Sequence, residues 1–250
     1  MAGNIILYDL PSIHKGSDKP SCFSLNPWKT RMVLNYKQIP YTTEWVEYPD
    51  LEPKMKELGV KANQPGTGWT DYTSPTIRLP DGKVIMNSAN IAPVLEELHP
   101  SPPLHLDADL HGPITEAVEN LAGVVWWDTL ADVPSMLPPR SAKYFEDTRK
   151  ETFGMTLKEF AAVKGGEQAW KTAAEPGGAA EKLGDLLTKH RKDEGPFVLG
   201  SQPSYGDFVA ASFFDCFERC CKEDYEKMMA LDARFKPLHA ACRPWLKRDD

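Results

Sequence analysis

The order of strand and helix signals in the first hundred residues limits the possible folds more than any other feature of this chain. Residues 5–8 form a continuous apolar run, which is typical of a buried strand. An apolar stripe at helical spacing predicts a helix from Pro27 to about Lys37, and residues 41–47 are rich in β-forming side chains. Two strands separated by one helix make a βαβ unit, whose strands run parallel.

A second group of signals completes this α/β unit. A short helix is expected near residues 53–59. Residues 76–79 and 83–86 flank a Pro-Asp-Gly turn and predict a β-hairpin, and a helix follows from Ser88. Residues 99–103 contain three prolines, which indicates a stiff linker.

Strand signals fade beyond this linker. Apolar periodicity predicts helices over residues 114–134, 142–153, 156–163, 178–190 and 205–222. We therefore expect an α/β domain over residues 1–98, a linker over 99–108 and an all-α domain over 109–250.

Composition excludes several classes of partner. The net charge of −7 disfavours nucleic acid and anionic membranes. No apolar stretch approaches the ~20 residues of a membrane span, and the N-terminus lacks the pattern of a secretory signal. The five cysteines have neither zinc-site nor disulfide-framework spacing. We therefore expect a cytoplasmic protein with reduced thiols and no metal.

The junction between the first strand and its helix is a candidate anion site. Ser24 precedes the helix start, for which Asn26 is the expected N-cap and Pro27 the first helical residue. Free N–H groups and the positive end of the helix dipole favour an anion there, and a thiolate is one such anion. The alternative is that Ser24 only caps the helix.

Two other junctions have the same character. Pro75 opens the third strand after Ser74, and a cis bond there would turn the Ser74 backbone outward. Asn87 and Ser88 lie between the fourth strand and its helix, where Ser88 is the expected N-cap and a carboxylate site is the alternative.

Motifs of other enzyme classes are absent from the sequence. It has no Gly-x-Ser-x-Gly, no phosphate-binding loop and no dinucleotide-binding glycine motif. Trp126 and Trp127 are consecutive on the long helix, so their rings point roughly 100° apart. One of them is therefore a candidate for a cleft that faces the N-terminal domain.

Together these landmarks resemble the glutathione transferase family over nearly the whole chain. The resemblance implies a thioredoxin-like N-terminal domain followed by an all-helical domain. Residues 23–31 and 144–154 further resemble the etherase-like branch of fungi and lignin-degrading bacteria. That branch is related to the omega class, whose members carry cysteine at the position of Ser24.

The resemblance implies a role for each junction. Ser24 would activate the sulfur of glutathione, the co-substrate. Ser74, before a cis Pro75, would pair with the cysteinyl main chain, and Asn87 and Ser88 would hold the γ-glutamyl end. The family more often has an acidic residue at the position of Asn87. The uncharged asparagine of this chain weakens the salt link expected with the glutathione amino group.

The remaining site residues are also implied by the resemblance. Asn26 would be one of the glutathione contacts. The resemblance does not decide which of Lys61, Gln64 or Thr73 reaches glutathione. The hydrophobic substrate site would be formed by Phe23, Leu25, Trp126 and Trp127. The expected partners are small hydrophobic aromatic molecules and a second copy of the chain.

Two alternatives remain beside the serine enzyme. Cys22 is a candidate redox cysteine, although it lies two residues before Ser24 and its side chain should therefore be placed differently relative to the helix. The second alternative is a binding protein that holds aromatic or phenolic compounds in an apolar cleft with little turnover.

Overall fold

The N-terminal domain is built on a four-stranded sheet. The computed structural model describes residues 4–13, 19–64 and 70–249. Six strands lie in the described residues of this domain: β1 (Ile5–Asp9), β2 (Ser12–Ile13), β3 (Pro20–Ser21), β4 (Tyr41–Trp45), β5 (Thr76–Arg78) and β6 (Val84–Met86). Four of them form the main sheet, and β2 and β3 form a separate pair. The sheet order is β4-β1-β5-β6, with β1 parallel to β4 and the other pairs antiparallel. The predicted βαβ unit and hairpin are confirmed, whereas the small β2–β3 ladder was not predicted.

Three helices accompany this sheet. They are α1 (Leu25–Tyr36), α2 (Tyr48–Glu57) and α3 (Ser88–Leu98). Helix α1 begins two residues before the predicted start, so Pro27 is its third residue. A proline is tolerated there because the first N–H groups of a helix have no intrahelical partner.

The second domain is all-helical in its described residues, as predicted. Its helices are α4 (Ala108–Asp132), α5 (Pro139–Phe153), α6 (Leu157–Lys164), α7 (Gly166–Ala173), α8 (Ala179–Lys189), α9 (Tyr205–Cys220), α10 (Lys222–Leu231) and α11 (Phe235–Cys242). A last 3₁₀ turn spans Arg243–Leu246. None of the helices in the described part of the chain is both long and apolar enough to cross a membrane.

Helix α9 is the centre of the molecule. Every residue from Tyr205 to Phe217 is buried, and the helix packs against α1, α4, α10 and α11. The predicted helix over 205–222 is wrong at its end, because Cys221 adopts an extended conformation that separates α9 from α10. Helices α7, α10 and α11 were not predicted.

A fully buried ion pair joins three elements of the N-terminal domain. The Arg31 guanidinium on α1 lies 2.8 Å from the Asp9 carboxylate at the end of β1, and neither side chain is exposed. Arg31 also donates to the Thr43 hydroxyl on β4 at 3.1 Å. Burial lowers the pKa of Arg31, but Asp9, Cys22 and Tyr41 together outweigh it and the pKa is raised.

The predicted linker is fixed to the N-terminal domain by one lysine. The buried Lys37 donates from Nζ to the carbonyl oxygens of His99 and Pro102, each at 2.6 Å. The same ammonium group pairs with Glu96 on α3. The end of α1, the end of α3 and the linker therefore move together.

We predict that Arg31→Met strongly destabilises the protein, because it leaves the Asp9 carboxylate buried without its partner. The free energy of unfolding is expected to fall by about 3–5 kcal/mol, as for other broken buried pairs. Urea unfolding followed by circular dichroism measures this change. Lys143→Met, which removes an exposed pair with Asp147 on α5, is the control and should change little. An equal loss in both variants would contradict the prediction.

Candidate active site

Ser24 is the N-cap of α1, and its hydroxyl takes no part in the capping. Its backbone is extended (φ −78°, ψ 136°), and its carbonyl oxygen accepts the first helical hydrogen bond from the Trp28 N–H at 3.2 Å. No capping hydrogen bond involves its side chain, which is partly exposed. The helix therefore starts on the Ser24 backbone, and the hydroxyl remains available to an acceptor beside the helix N-terminus.

The prediction that Asn26 caps this helix was wrong. Asn26 is the second helical residue and its side chain is exposed, with Oδ1 accepting a hydrogen bond from Lys29 Nζ at 3.0 Å. Burial lowers the pKa of Lys29 to about 8, and Glu119 partly opposes this shift. The Asn-Pro dipeptide was a strong local signal, but the chain enters the helix before it.

Cys22 is fixed inside the protein rather than presented to a substrate. Its side chain is fully buried, and its carbonyl oxygen accepts from the Trp28 indole nitrogen at 3.2 Å. The thiol donates to the Ser24 carbonyl oxygen at 3.7 Å. Burial, and next the charge of Asp9, raise the pKa of Cys22 well above its usual value. These features argue against the redox alternative, since reactive thiols are accessible and of low pKa.

The peptide bond between Ser74 and Pro75 is cis, as the resemblance implied. The Ser74 hydroxyl donates to Asp9 Oδ1 at 3.1 Å and lies 3.3 Å from the Tyr8 carbonyl oxygen. Ser74 is thus held by the same carboxylate that pairs with Arg31. Its side chain is occupied, which leaves its backbone groups as candidates for pairing with a peptide-like ligand.

At α3 the cap is Asn87 and not Ser88. Asn87 Oδ1 accepts from the Ala89 N–H at 3.0 Å, and its φ of +80° lies in a region that asparagine tolerates better than most residues. Ser88 is the first helical residue and is buried. Burial raises the pKa of Tyr205, on α9, to about 12, and a hydrogen bond with the Ser88 side chain opposes this rise. The Ser88 hydroxyl therefore faces the second domain.

Phe23 and Trp126 share one apolar cluster, whereas Trp127 is linked to it through Phe153. Phe23 is 3% exposed and belongs to a cluster between the domains that also contains Val133, Met136, Leu137, Phe145 and Leu157. Trp126 packs on this cluster, whereas Trp127 contacts Phe153 and Phe160. Both Trp rings are partly buried.

Leu25, the fourth residue predicted for the hydrophobic site, is partly exposed. It lies on α1, which packs against α9. Burial raises the pKa of the Cys216 thiol on α9 well above its usual value, and the Leu25 backbone opposes this rise. The first turn of α1 is thus in direct contact with the second domain.

Two residues at the edge of the Phe23 cluster were not singled out from the sequence. The Arg149 guanidinium lies 3.9 Å from the Phe145 ring centroid and 5.6 Å from that of Tyr48, the first residue of α2. Burial lowers the pKa of Arg149, and Tyr48 partly opposes this shift. Helices α2 and α5 also meet through the exposed ion pair of Asp50 and Arg140. The contacts between α2 and α5 join residues far apart in the sequence, so no local spacing predicts them.

The loop between α2 and β5 is described only in part. Residues 65–69 lie outside the described residues. Lys61 and Gln64 are exposed, and the Thr73 N–H donates to the Met86 sulfur at 3.3 Å. Which of these three contacts glutathione stays a prediction without an outcome.

One cluster of potential metal ligands, formed by Asp215, Glu218 and His239, occurs in the part of the chain that the structure describes. It lies on α9 and α11. Arginines already pair with both carboxylates, Arg219 with Asp215 and Arg243 with Glu218. The cluster is therefore a charge network in which cations are already present.

Comparison with protein families identifies the family to which this fold belongs. Residues 23–98 match the family model for the glutathione S-transferase N-terminal domain, and residues 114–245 match that for the C-terminal domain. The chain belongs to the glutathione S-transferase family. The thioredoxin-like N-terminal domain and the all-helical C-terminal domain of this transferase are those of its family.

Individual relatives cover almost the entire transferase. The glutathione S-transferase-like protein ustS of Aspergillus flavus is 30% identical over 254 residues, which is 96% of this chain and 90% of that protein. A glutathione S-transferase of Ceriporiopsis subvermispora, solved in complex with glutathione, superposes with a TM-score of 0.80 at 28% identity, covering 99% and 100% of the two chains. Glutathione transferase GSTFuA3 from Phanerochaete chrysosporium gives 0.77 at 27% identity over the full length of both chains.

We predict that Cys22 resists alkylation in the folded transferase. Cys220 and Cys221 are partly exposed and should react with iodoacetamide first, whereas the buried Cys22 should react at least about tenfold more slowly. Mass spectrometry of peptides from native and denatured samples measures each site. All five thiols should react in denaturant. Preferential labelling of Cys22 in the native protein would restore the redox alternative.

Proposed function

We propose that this transferase binds glutathione and activates its thiolate with Ser24. The observation that carries the proposal is the Ser24 hydroxyl, which lies at the N-terminus of α1 without a capping role. Solved relatives that carry bound glutathione, such as the one from Ceriporiopsis subvermispora, support glutathione as the ligand.

The physical basis is preferential stabilisation of the charged sulfur. A free thiol has a pKa of about 8.5, and each unit of lowering corresponds to about 1.4 kcal/mol in favour of the thiolate. A hydroxyl donor together with a helix N-terminus supplies roughly one to two units. The thiolate is then the main form of bound glutathione near neutral pH.

The rest of glutathione is assigned to neighbouring junctions. The Ser74 backbone, before the cis Pro75, pairs with the cysteinyl main chain, and Asn26 contacts glutathione from the first turn of α1. The γ-glutamyl carboxylate lies at the N-terminus of α3. Since the Asn87 oxygen caps the helix and the Ser88 hydroxyl faces Tyr205, backbone N–H groups of the first turn are the main donors.

We further place the transferase in the etherase-like branch and propose aromatic electrophiles as substrates. The glutathione sulfur attacks an electrophilic carbon, forms a carbon–sulfur bond, and displaces a phenolate where the substrate is an aryl ether. Phe23 and Trp126 support this assignment, because Phe23, the neighbour of Ser24, belongs to an apolar cluster between the domains on which the partly exposed Trp126 packs. In this proposal, residues 1–98 bind glutathione, residues 109–250 shape the hydrophobic site, and the protein is a cytoplasmic homodimer.

Ser24→Ala tests the role of the serine directly. We expect the pKa of bound glutathione to rise by about one to two units, because a donor to the thiolate is lost. The thiolate ultraviolet absorbance as a function of pH measures this shift. Ser201→Ala, in an exposed turn of the second domain, is the control. An unchanged pKa in Ser24→Ala would remove Ser24 from the mechanism.

A second candidate function is binding of aromatic or phenolic compounds with little turnover. The partly exposed Trp126 on the interdomain cluster favours it, because one wall of an apolar site is already assembled there. Both functions use the same surface. Negligible turnover on aryl ethers, isothiocyanates and peroxides, together with tight ligand binding, would favour this candidate.

We predict that Trp126→Ala weakens the binding of a phenolic ligand by about tenfold, or about 1.4 kcal/mol. Trp127→Ala is the matched control, since its ring packs on Phe160 and on Phe153 at the edge of the Phe23 cluster and is not itself packed on that cluster. Displacement of a fluorescent dye by the ligand measures both affinities. A larger loss in Trp127→Ala would assign the site to the opposite side of α4.

A further inference from the structure

The residues that lead into Ser24 are fixed partly by the far end of the chain. The backbone N–H of Cys22 donates to the Asp249 carboxylate at 3.4 Å, across 227 positions of sequence. The Cys22 carbonyl accepts from the Trp28 indole, and its thiol donates to the Ser24 carbonyl oxygen. Both backbone polar groups of Cys22 are thus engaged, two residues before the proposed catalytic hydroxyl.

Asp249 is itself held by Arg219 on α9. Arg219 Nη1 lies 3.1 Å from the same Asp249 oxygen that accepts from Cys22, and Nη2 donates to the Leu246 carbonyl oxygen at 3.1 Å. The guanidinium carbon lies 4.4 Å from the centroid of the Trp28 ring. One cation therefore contacts both groups that hydrogen-bond to the Cys22 backbone.

Arg219 is in turn oriented by a buried carboxylate. Its Nε pairs with Asp215, whose side chain is 3% exposed and lies beside His239. Burial lowers the pKa of Arg219, but Asp215, Cys22 and Asp249 together outweigh it and the pKa is raised. The guanidinium is thus a fixed, permanently charged link between α9 and the segment before α1.

We infer that Asp249 and Arg219 are positioning residues that act through Ser24. The inference rests on the proposed role of Ser24. A hydroxyl must lie within hydrogen-bond distance of the sulfur, and a displacement of about 1 Å is enough to lose much of the rate. The proposed contacts to the glutathione peptide come from the Ser74 backbone and α3, so the affinity for glutathione should depend little on Asp249.

The sign of the effect separates positioning from simple electrostatics. Removal of the negative charge of Asp249 stabilises a nearby thiolate and lowers its pKa. Loss of the Ser24 hydrogen bond raises the same pKa. Asp249→Asn removes the charge but keeps one acceptor oxygen, whereas Asp249→Ala removes both. Only the positioning role predicts that Asp249→Ala raises the pKa while Asp249→Asn does not.

The experiment is a thiolate titration of bound glutathione in the full chain, with kcat and KM for glutathione. In Asp249→Ala we expect the pKa to rise by about half a unit or more, kcat to fall by about three- to tenfold, and KM to change less than about twofold. In the Ser24→Ala background the same change should not raise the pKa any further. Glu226→Ala removes an exposed carboxylate on α10 and is the control.

Arg219→Lys gives an independent variant that keeps the charge. A lysine cannot reproduce the forked contacts to Asp215 and Asp249, so the pKa should again rise. If Asp249→Ala does not fold, this variant decides the question. An unchanged or lowered pKa in the folded variants, with a raised pKa in Ser24→Ala, overturns the positioning role alone. An unchanged pKa in Ser24→Ala overturns the proposed function as well.

Discussion

The buried pair of Asp9 and Arg31 fixes the elements that carry the active site. One carboxylate joins the end of β1 to α1 through the guanidinium, and it also accepts from the Ser74 hydroxyl and the Leu10 N–H. Because neither charge reaches water, alternative arrangements of these elements would leave an unpaired ion in the core. The helix that begins at Ser24 and the junction at Ser74 are therefore held relative to each other by a single carboxylate.

The second domain completes the site rather than merely covering it. Tyr205 lies next to the Ser88 hydroxyl, and the Cys216 thiol lies next to the Leu25 backbone. Trp126 packs on the cluster that contains Phe23. Each of the junctions proposed to bind glutathione, except that at Ser74, thus has a described contact on α9 or α4. A change in the second domain can consequently alter the chemistry of the first without touching its sheet.

Local periodicity and turn chemistry predicted most of the fold and the positions of the three junctions, since strands, helices and their ends depend on neighbouring residues. The caps were misplaced, because Asn26 and Ser88 are as suitable by type as Ser24 and Asn87, and only backbone geometry separates them. The angle of roughly 100° between Trp126 and Trp127 predicted that the two rings would have different surroundings. It did not predict which ring would pack on the cluster that contains Phe23. The pair of Asp9 and Arg31 and the contact from Asp249 to Cys22 join distant positions, which no local pattern records.

Helix α9 has a consequence for how the chain holds together. Its side chains are buried in every direction from Tyr205 to Phe217, and part of that surround is α1 of the other domain. Separated from α1, the helical domain would expose a row of large apolar side chains to water. Two units that are distinct by sequence pattern are therefore one cooperative unit in stability, and neither half is a self-sufficient module for transplantation into another protein.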